Sequence, residues 1–305
     1  MWPSVPIRRQ TISVPLAPPL RRPRRRSLLL LLAAAALVSC CLLLDTPSIH
    51  DVNQAFVPGA RLLPRHAKGT ADWGRPATEV EMQQDLPTLY VYDHCPYCVR
   101  ARMIFGIKAM PHRLQFLLND DVVTPTKLIG KKVLPILQQG DEAMGESLEI
   151  VRKIDAAGSD GQVALRPSAN RQDIAEWQLS NQDLIRKLTR PRVAKAILPE
   201  FATRAARDTW ARNHPLKDGT GFDACLEASP ALLAELSLQL PNLAGMLDSD
   251  FSVNPGGLSY DDITLFPMLR TLTLVKGLDW PDRLQNYVNN LAEISDVPLF
   301  GSMAC

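Results

Sequence analysis

The segment that most constrains this chain is Thr88-Leu-Tyr-Val-Tyr-Asp-His-Cys-Pro-Tyr-Cys98. A short β-branched and aromatic run delivers the backbone to Cys95, and Val99–Met110 then reads as a helix. A cysteine at a strand-to-helix junction sits among unpaired backbone N–H groups, at the positive end of a helix dipole. Both favour the thiolate, the reactive form of sulfur. Cys98 falls one turn along the same helical face, near enough to attack a mixed disulfide formed on Cys95. The pattern points to dithiol redox chemistry.

The surrounding residues, 87–158, alternate strand and helix signals. Thr88–Tyr92 is expected as a strand, Pro96–Met110 as a helix and His112–Leu117 as a second strand, followed by the acidic turn Asn119–Asp121. Thr124–Ile129 reads as a short helix with Pro125 at its first position. Val133–Leu137 is a third strand, Gly140-Asp141 a turn, and Glu146–Ala157 a helix closed by Gly158. A β-α-β unit followed by β-β-α is a thioredoxin fold of the α/β class. Pro135 interrupts the third strand, where proline forfeits a ladder bond. An edge strand would tolerate it, and so would a cis-proline opposite the cysteine pair. The motif upstream favours the cis form, which an X–Pro bond adopts at modest cost.

Gly158–Ser168 is a Gly/Ser/Pro linker, and from residue 167 to 305 every long segment reads as helix. Gln172–Thr189 carries Ile174, Trp177, Leu184, Ile185 and Leu188 on one side. Further helices are expected at Val193–Trp210, Asp223–Leu247, Asp261–Lys276 and Asp282–Ile294, with Trp177, Phe266 and Trp280 as core aromatics. Ser259 is placed to cap one of them, with Asp262 three residues on and Leu258 and Ile263 as a hydrophobic staple.

Charge is unevenly shared. Residues 1–86 hold 11 of the 34 Lys/Arg and 6 of the 32 Asp/Glu, which leaves 23 against 26, or about −3, for the remainder. That mildly acidic body offers no basic face for nucleic acid. Cys40, Cys41, Cys95, Cys98, Cys225 and Cys305 make no disulfide framework. Cys95 and Cys98 lack a second ligand pair and His214 stands alone, so the spacing does not make a zinc site. Residues 1–44 carry no acid, and an arginine cluster precedes the apolar run Ser27–Leu44. That layout fits a secretory signal, and 18 residues also suffice for a single membrane span. Asp45–Asp85 reads as a disordered linker or as the second part of a bipartite plastid leader, where Asn53-Gln-Ala-Phe56 resembles a cleavage point. A lipoprotein box at Leu37-Val-Ser-Cys40 is disfavoured by the long Pro-rich segment before it.

Residues 88–305 resemble the glutaredoxin 2 family, bacterial two-domain glutaredoxins shaped like glutathione transferases. The resemblance rests on Tyr92-Asp-His-Cys-Pro-Tyr-Cys98, Ala101-Arg-Met-Ile-Phe-Gly106, Leu118-Asn-Asp-Asp121, Thr124-Pro-Thr126 and Pro135-Ile-Leu137. In the helical part it rests on Asp261-Asp-Ile263, Leu265-Phe-Pro267, Leu272-Thr-Leu-Val275 and Trp280-Pro281. The chain departs from the family in its leader and in Leu134, where Val is usual. The resemblance implies an all-α, glutathione-transferase-like second domain and a monomer. It implies a glutathione-dependent thiol–disulfide oxidoreductase acting on disulfide-bonded or glutathionylated proteins, with glutathione as co-substrate. Cys95 would carry the mixed disulfide and Cys98 would resolve it. Tyr97, Lys132, Leu134, Pro135, Glu146 and Ser147 would contact glutathione: the Leu134 backbone its cysteinyl unit, Lys132 its glycyl carboxylate, and Glu146-Ser147 its γ-glutamyl end. Read alone, Glu146-Ser147 is a helix cap.

Two other readings share this outline. A glutathione transferase or dehydroascorbate reductase needs one reactive cysteine and a pocket for a small electrophile, whereas the second cysteine here suits disulfide exchange. A membrane-tethered, non-enzymatic glutathione-binding module would use Ser27–Leu44 as its anchor, about fifty residues before the redox motif.

Overall fold

The computed structural model describes residues 86–157 and 162–305, and the expectations for the leader, Ser27–Leu44 and Asp45–Asp85 lie outside the described residues. Strand β1 (Thr88–Val91) runs parallel to β2 (Arg113–Phe116) on one side and antiparallel to β3 (Ile136–Gln139) on the other. β4 (Glu142–Met144) completes the sheet beyond β3, in the order β2-β1-β3-β4. Val91 faces Phe116 across one ladder and Tyr90 faces Ile136 across the other. The register is pinned by alternation, since Leu89 and Val91 are wholly buried on one face.

Between the strands lie α1 (Pro96–Ile107), α2 (Val123–Ile129) and, after β4, α3 (Ser147–Ala156). The β-α-β-α-β-β-α order is the expected thioredoxin fold. Helix α1 is buried almost all round, from Cys98 and Val99 through Ala101, Met103, Ile104 and Phe105. A helix needs neighbours on every side to be so. It has them in α3 and in two helices of the second half, α8 (Tyr260–Leu272) and α9 (Asp282–Ser295). At Gly106 this packing is so close that a Cβ would lie 1.8 Å from the Ser295 carbonyl oxygen.

The second half also contains α4 (Gln172–Lys195), a 3-10 turn (Pro199–Phe201), α5 (Arg204–Asn213), α6 (Phe222–Glu227) and α7 (Ser229–Met246). Several limits differ from expectation. Helix α2 starts at Val123, so Pro125 is its third residue, where an N–H still has no intrahelical partner. Helix α4 runs through Pro191 instead of stopping at Thr189. Proline removes one i→i−4 bond there, but Ile185, Leu188, Arg192 and Val193 stay buried on either side and hold the helix together. The expected Val193–Trp210 helix is therefore split, and α5 starts afresh behind Thr203, whose hydroxyl accepts from the Ala206 N–H at 3.1 Å. Asp223–Leu247 is likewise two helices, with Pro230 in the first turn of α7, and α8 ends at Leu272 rather than Lys276.

The cap at Ser259 forms as expected. The Asp262 carboxylate accepts from the Ser259 N–H and hydroxyl, both at 2.8 Å, and from the Val253 N–H and the Tyr287 hydroxyl. The chain just before α4 is clipped to this corner, with Arg166 bridging Ser259 in a short β-ladder. No described helix is long and apolar enough to cross a membrane.

Candidate active site

Cys95 is the N-cap of α1, in extended backbone conformation, with Pro96 at the first helical position. Cys95 is half-buried and Cys98 fully buried behind it. The Cys98 thiol donates to Cys95, which is the main reason the Cys95 thiol is lowered to about 7. Burial opposes that shift, and the backbone N–H groups of Tyr97 and Cys98 reinforce it. His94 adds to it when its ring is protonated. Cys98 goes the other way: burial and the neighbouring Cys95 sulfur push it well above the ordinary range. The Tyr92 N–H donates to Cys98 Sγ at 3.3 Å, a smaller effect in the opposite sense. One sulfur is thus prepared as a nucleophile and the other keeps its proton.

The two residues before Cys95 are gripped from the helical half. Arg270 on α8, only 1 % exposed, donates to the Asp93 carbonyl at 2.6 Å and to its carboxylate at 2.8 Å. Arg102 on α1 pairs with the same carboxylate. Burial alone would raise the Asp93 carboxyl, but the two guanidinium groups overcome it and hold it below the ordinary value. Glu200, in the 3-10 turn, accepts from the His94 N–H at 2.9 Å and faces His94 Nδ1 at 2.6 Å. The Trp210 indole N–H donates to His94 Nε2 at 2.8 Å. An acceptor role for Nε2 puts the ring proton on Nδ1, toward Glu200. Phe201 stacks on the same imidazole at 5.1 Å.

Cys95 opens onto a cleft of about 980 Å³ between the two halves. Tyr97, Lys132 and Leu134 line it with Cys95 on one side, and Leu179, Gln182 and Arg186 of α4 face them. The Leu134–Pro135 peptide is cis, as expected, and no hydrogen bond among the described residues engages the Leu134 backbone. Pro135 is buried behind it. The Lys132 ammonium donates to the Asn119 carbonyl at 2.8 Å. Glu146 and Ser147 are not among the cleft-lining residues. Ser147 is buried at the first position of α3, while Glu146, with φ +66°, carries an exposed side chain paired with Lys131 at 3.0 Å.

This arrangement can be set against known proteins. The sequence profile of the glutaredoxin 2 C-terminal domain matches residues 173–304, and that of a glutathione S-transferase N-terminal domain matches residues 89–160. Glutaredoxin 2 of Escherichia coli K12 is 43% identical over 217 residues, which cover 71% of this chain and 99% of the bacterial protein. The chain belongs to the glutaredoxin 2 family. Glutaredoxin 2 from Salmonella typhimurium, solved in complex with glutathione, is 41% identical with a TM-score of 0.67, covering 72% of this chain and all of that one. A Ceriporiopsis subvermispora glutathione S-transferase shares the fold at 14% identity and a TM-score of 0.51, covering 70% of this chain and 98% of its own. The architecture is a thioredoxin-like half followed by a helical half of the glutathione-transferase type, and the enzyme class is that of glutathione-dependent oxidoreductases.

Some of what surrounds the cysteines in this glutaredoxin 2 family member escapes sequence reasoning. His94 reads as a mere neighbour of the motif, yet it is the centre of a clamp. Arg270 and Trp210 give no sign of a role. Glu200 leaves one trace: it is the only charge between Lys195 and Arg204, inside Ala-Ile-Leu-Pro-Glu-Phe-Ala. An isolated acid in an apolar run is a candidate buried carboxylate.

Proposed function

We propose that this enzyme reduces glutathione mixed disulfides and protein disulfides through the Cys95–Cys98 dithiol. The observation that carries the reading is the opposed tuning of the two sulfurs at the mouth of a cleft. Cys95 thiolate attacks a mixed disulfide and expels the protein thiolate, leaving Cys95 bonded to the glutathione sulfur. A second glutathione thiolate attacks that sulfur, freeing Cys95 and forming glutathione disulfide. With a protein disulfide as substrate, Cys98 resolves the intermediate instead.

The cleft suits a tripeptide bound by its sulfur at Cys95. Leu134 presents unengaged backbone groups to a cysteinyl unit, Lys132 offers a point charge for a carboxylate, and Tyr97 supplies an exposed ring. Ser147 at the start of α3 suits a second carboxylate. Glu146 suits an ammonium, which would displace Lys131 from an exposed and therefore weak ion pair. The protein part of the substrate has room along α4. We take the working form to be a monomer, and the basic, apolar leader to be an organellar or secretory address, read out by the mature N-terminus.

The test is turnover on a glutathionylated peptide. Cys95→Ser should abolish it, while Cys98→Ser should keep much of it. An active Cys95→Ser enzyme would overturn the assignment.

A further inference from the structure

Among the described residues, two buried side-chain polar atoms have no hydrogen-bond partner: Arg100 Nε and Glu200 Oε2. Arg100 has a bland explanation, since its guanidinium lies over the Tyr97 ring at 5.0 Å in the open cleft. Glu200 has none. It is 0 % exposed, and only its Oε1 is engaged, by the His94 backbone and ring. Its backbone carbonyl accepts from the Asn119 N–H at 3.0 Å, so the turn is held independently of the free oxygen. A buried carboxylate with one idle oxygen is costly and is not explained by anchoring His94, which a neutral amide could do as well.

The motif loop presents Tyr92 and His94, α1 presents Cys98, and α8 presents Arg270, each bonded to Glu200 or sensing its charge. Tyr92 and Cys98 are both pushed up, by burial first and in part by that charge. Trp210 keeps the His94 ring proton on Nδ1, where it already serves Oε1. Of the groups that sense this charge, Cys98 is the one that must lose a proton in the dithiol cycle.

We propose that Glu200 is the proton acceptor for Cys98 when that thiol resolves the disulfide on Cys95, an inference that rests on the dithiol function above. As Cys98 Sγ bonds to Cys95 Sγ, its proton passes to the idle Glu200 Oε2, directly or through water. The bond from Cys95 to the substrate sulfur breaks, and the electron pair leaves on the substrate as a thiolate, which solvent protonates. The enzyme is then oxidised to the Cys95–Cys98 disulfide. When a glutathione thiolate attacks Cys95, the pair departs on Cys98, and Glu200 returns the proton. The helical half thereby supplies a working group to chemistry centred in the other half.

The test is a single turnover on the full chain. Cys95 is loaded with thionitrobenzoate as a mixed disulfide, and release of the coloured thiolate by Cys98 is followed against pH. Glu200→Gln should slow release near neutral pH by at least about tenfold, the lower part of the range for lost proton transfer. In a Cys95→Ser background, the same substitution should move the Cys98 titration to lower pH, because a negative charge has gone. A more acidic thiol that nevertheless reacts more slowly is a pair of signs that misfolding or a lost anchor does not produce. Release within about twofold of the unmutated rate overturns the proposal, and so does slow release with an unmoved or raised Cys98 titration.

A measurement on the unmutated chain guards against a variant that fails to fold. With Glu200 accepting, release should level off well below the pH at which Cys98 titrates. A rate that climbs about tenfold per pH unit up to that midpoint, as free thiolate would dictate, overturns the proposal. Cys98→Ser distinguishes the two failures: if it still releases the probe, the dithiol function itself fails rather than the role of Glu200.

Discussion

Removing the Cys98 thiol should make Cys95 a markedly weaker nucleophile at neutral pH, even in reactions that never use Cys98 as a resolver. The Cys98 donor is the main reason Cys95 drops from an ordinary 9.0 to about 7. At pH 7 a group with that lowered value is about half thiolate, against about 1 % for an unperturbed one, a difference of about 3 kcal/mol at 1.36 per pH unit. Cys98→Ala deletes the thiol donor but keeps the backbone N–H groups of residues 97 and 98. The midpoint should therefore rise from about 7 without necessarily reaching 9.0. The rate of Cys95 alkylation by iodoacetamide at pH 7 should fall by a factor between about 3 and 50, converging with the unmutated rate at high pH where both are fully ionised. Cys98→Ser, which retains a donor, should lie between the two. The assay is alkylation rate against pH, read by mass spectrometry on the Cys95 peptide. A Cys98→Ala midpoint within about 0.3 of the unmutated one would refute the reasoning and return the thiolate's stability to the α1 N-terminus.

Arg270→Met should destabilise the fold by about 3 kcal/mol, the low end for breaking a buried ion pair, because Arg102 still faces Asp93. That corresponds to a thermal midpoint lower by about 6–12 °C in calorimetry. Asp93 is held below its ordinary 3.8, so the stabilisation is complete above that pH and fades as the pH falls through the lowered value. The difference between the two proteins should therefore shrink in acid. Gly106→Ala has no room beside Ser295 and should cost at least about 3 kcal/mol. Gly245→Ala on α7 meets open space and should stabilise by about 0.5–1 kcal/mol, so the two alanines should move the urea midpoint in opposite directions. Ser259→Ala removes a buried hydroxyl that donates to Asp262 and accepts from Asn254, and should cost about 1–2 kcal/mol in the same urea assay.

The thioredoxin-like half was legible because its signals are local: the strand before Cys95, the proline after it and the capping corner at Ser259 are each specified within a few residues. Pro191 misled because a proline's local cost is set against tertiary burial. Ile185, Leu188 and Val193 keep α4 whole across it, and no window of sequence weighs that balance. The cysteines and the cis-proline could be found for the same local reason. Glu200 lies 106 positions from His94 and Arg270 lies 177 from Asp93, so what couples them is the docking of two halves. A single sequence carries no period or spacing that encodes such a meeting.

Asp93 and His94 are held by residues that leave the ribosome long after Cys95 does. Arg270 is itself seated by the Pro298 carbonyl and the Phe300 ring. During synthesis the cysteine pair therefore exists without its surroundings until Phe300, 205 positions after Cys95, has been made. A chain truncated before Arg270 keeps both cysteines, yet its Cys95 should titrate and react as a different thiol. The thiol chemistry of the motif thus depends on the stretch at Pro298 and Phe300, more than two hundred positions downstream of Cys95.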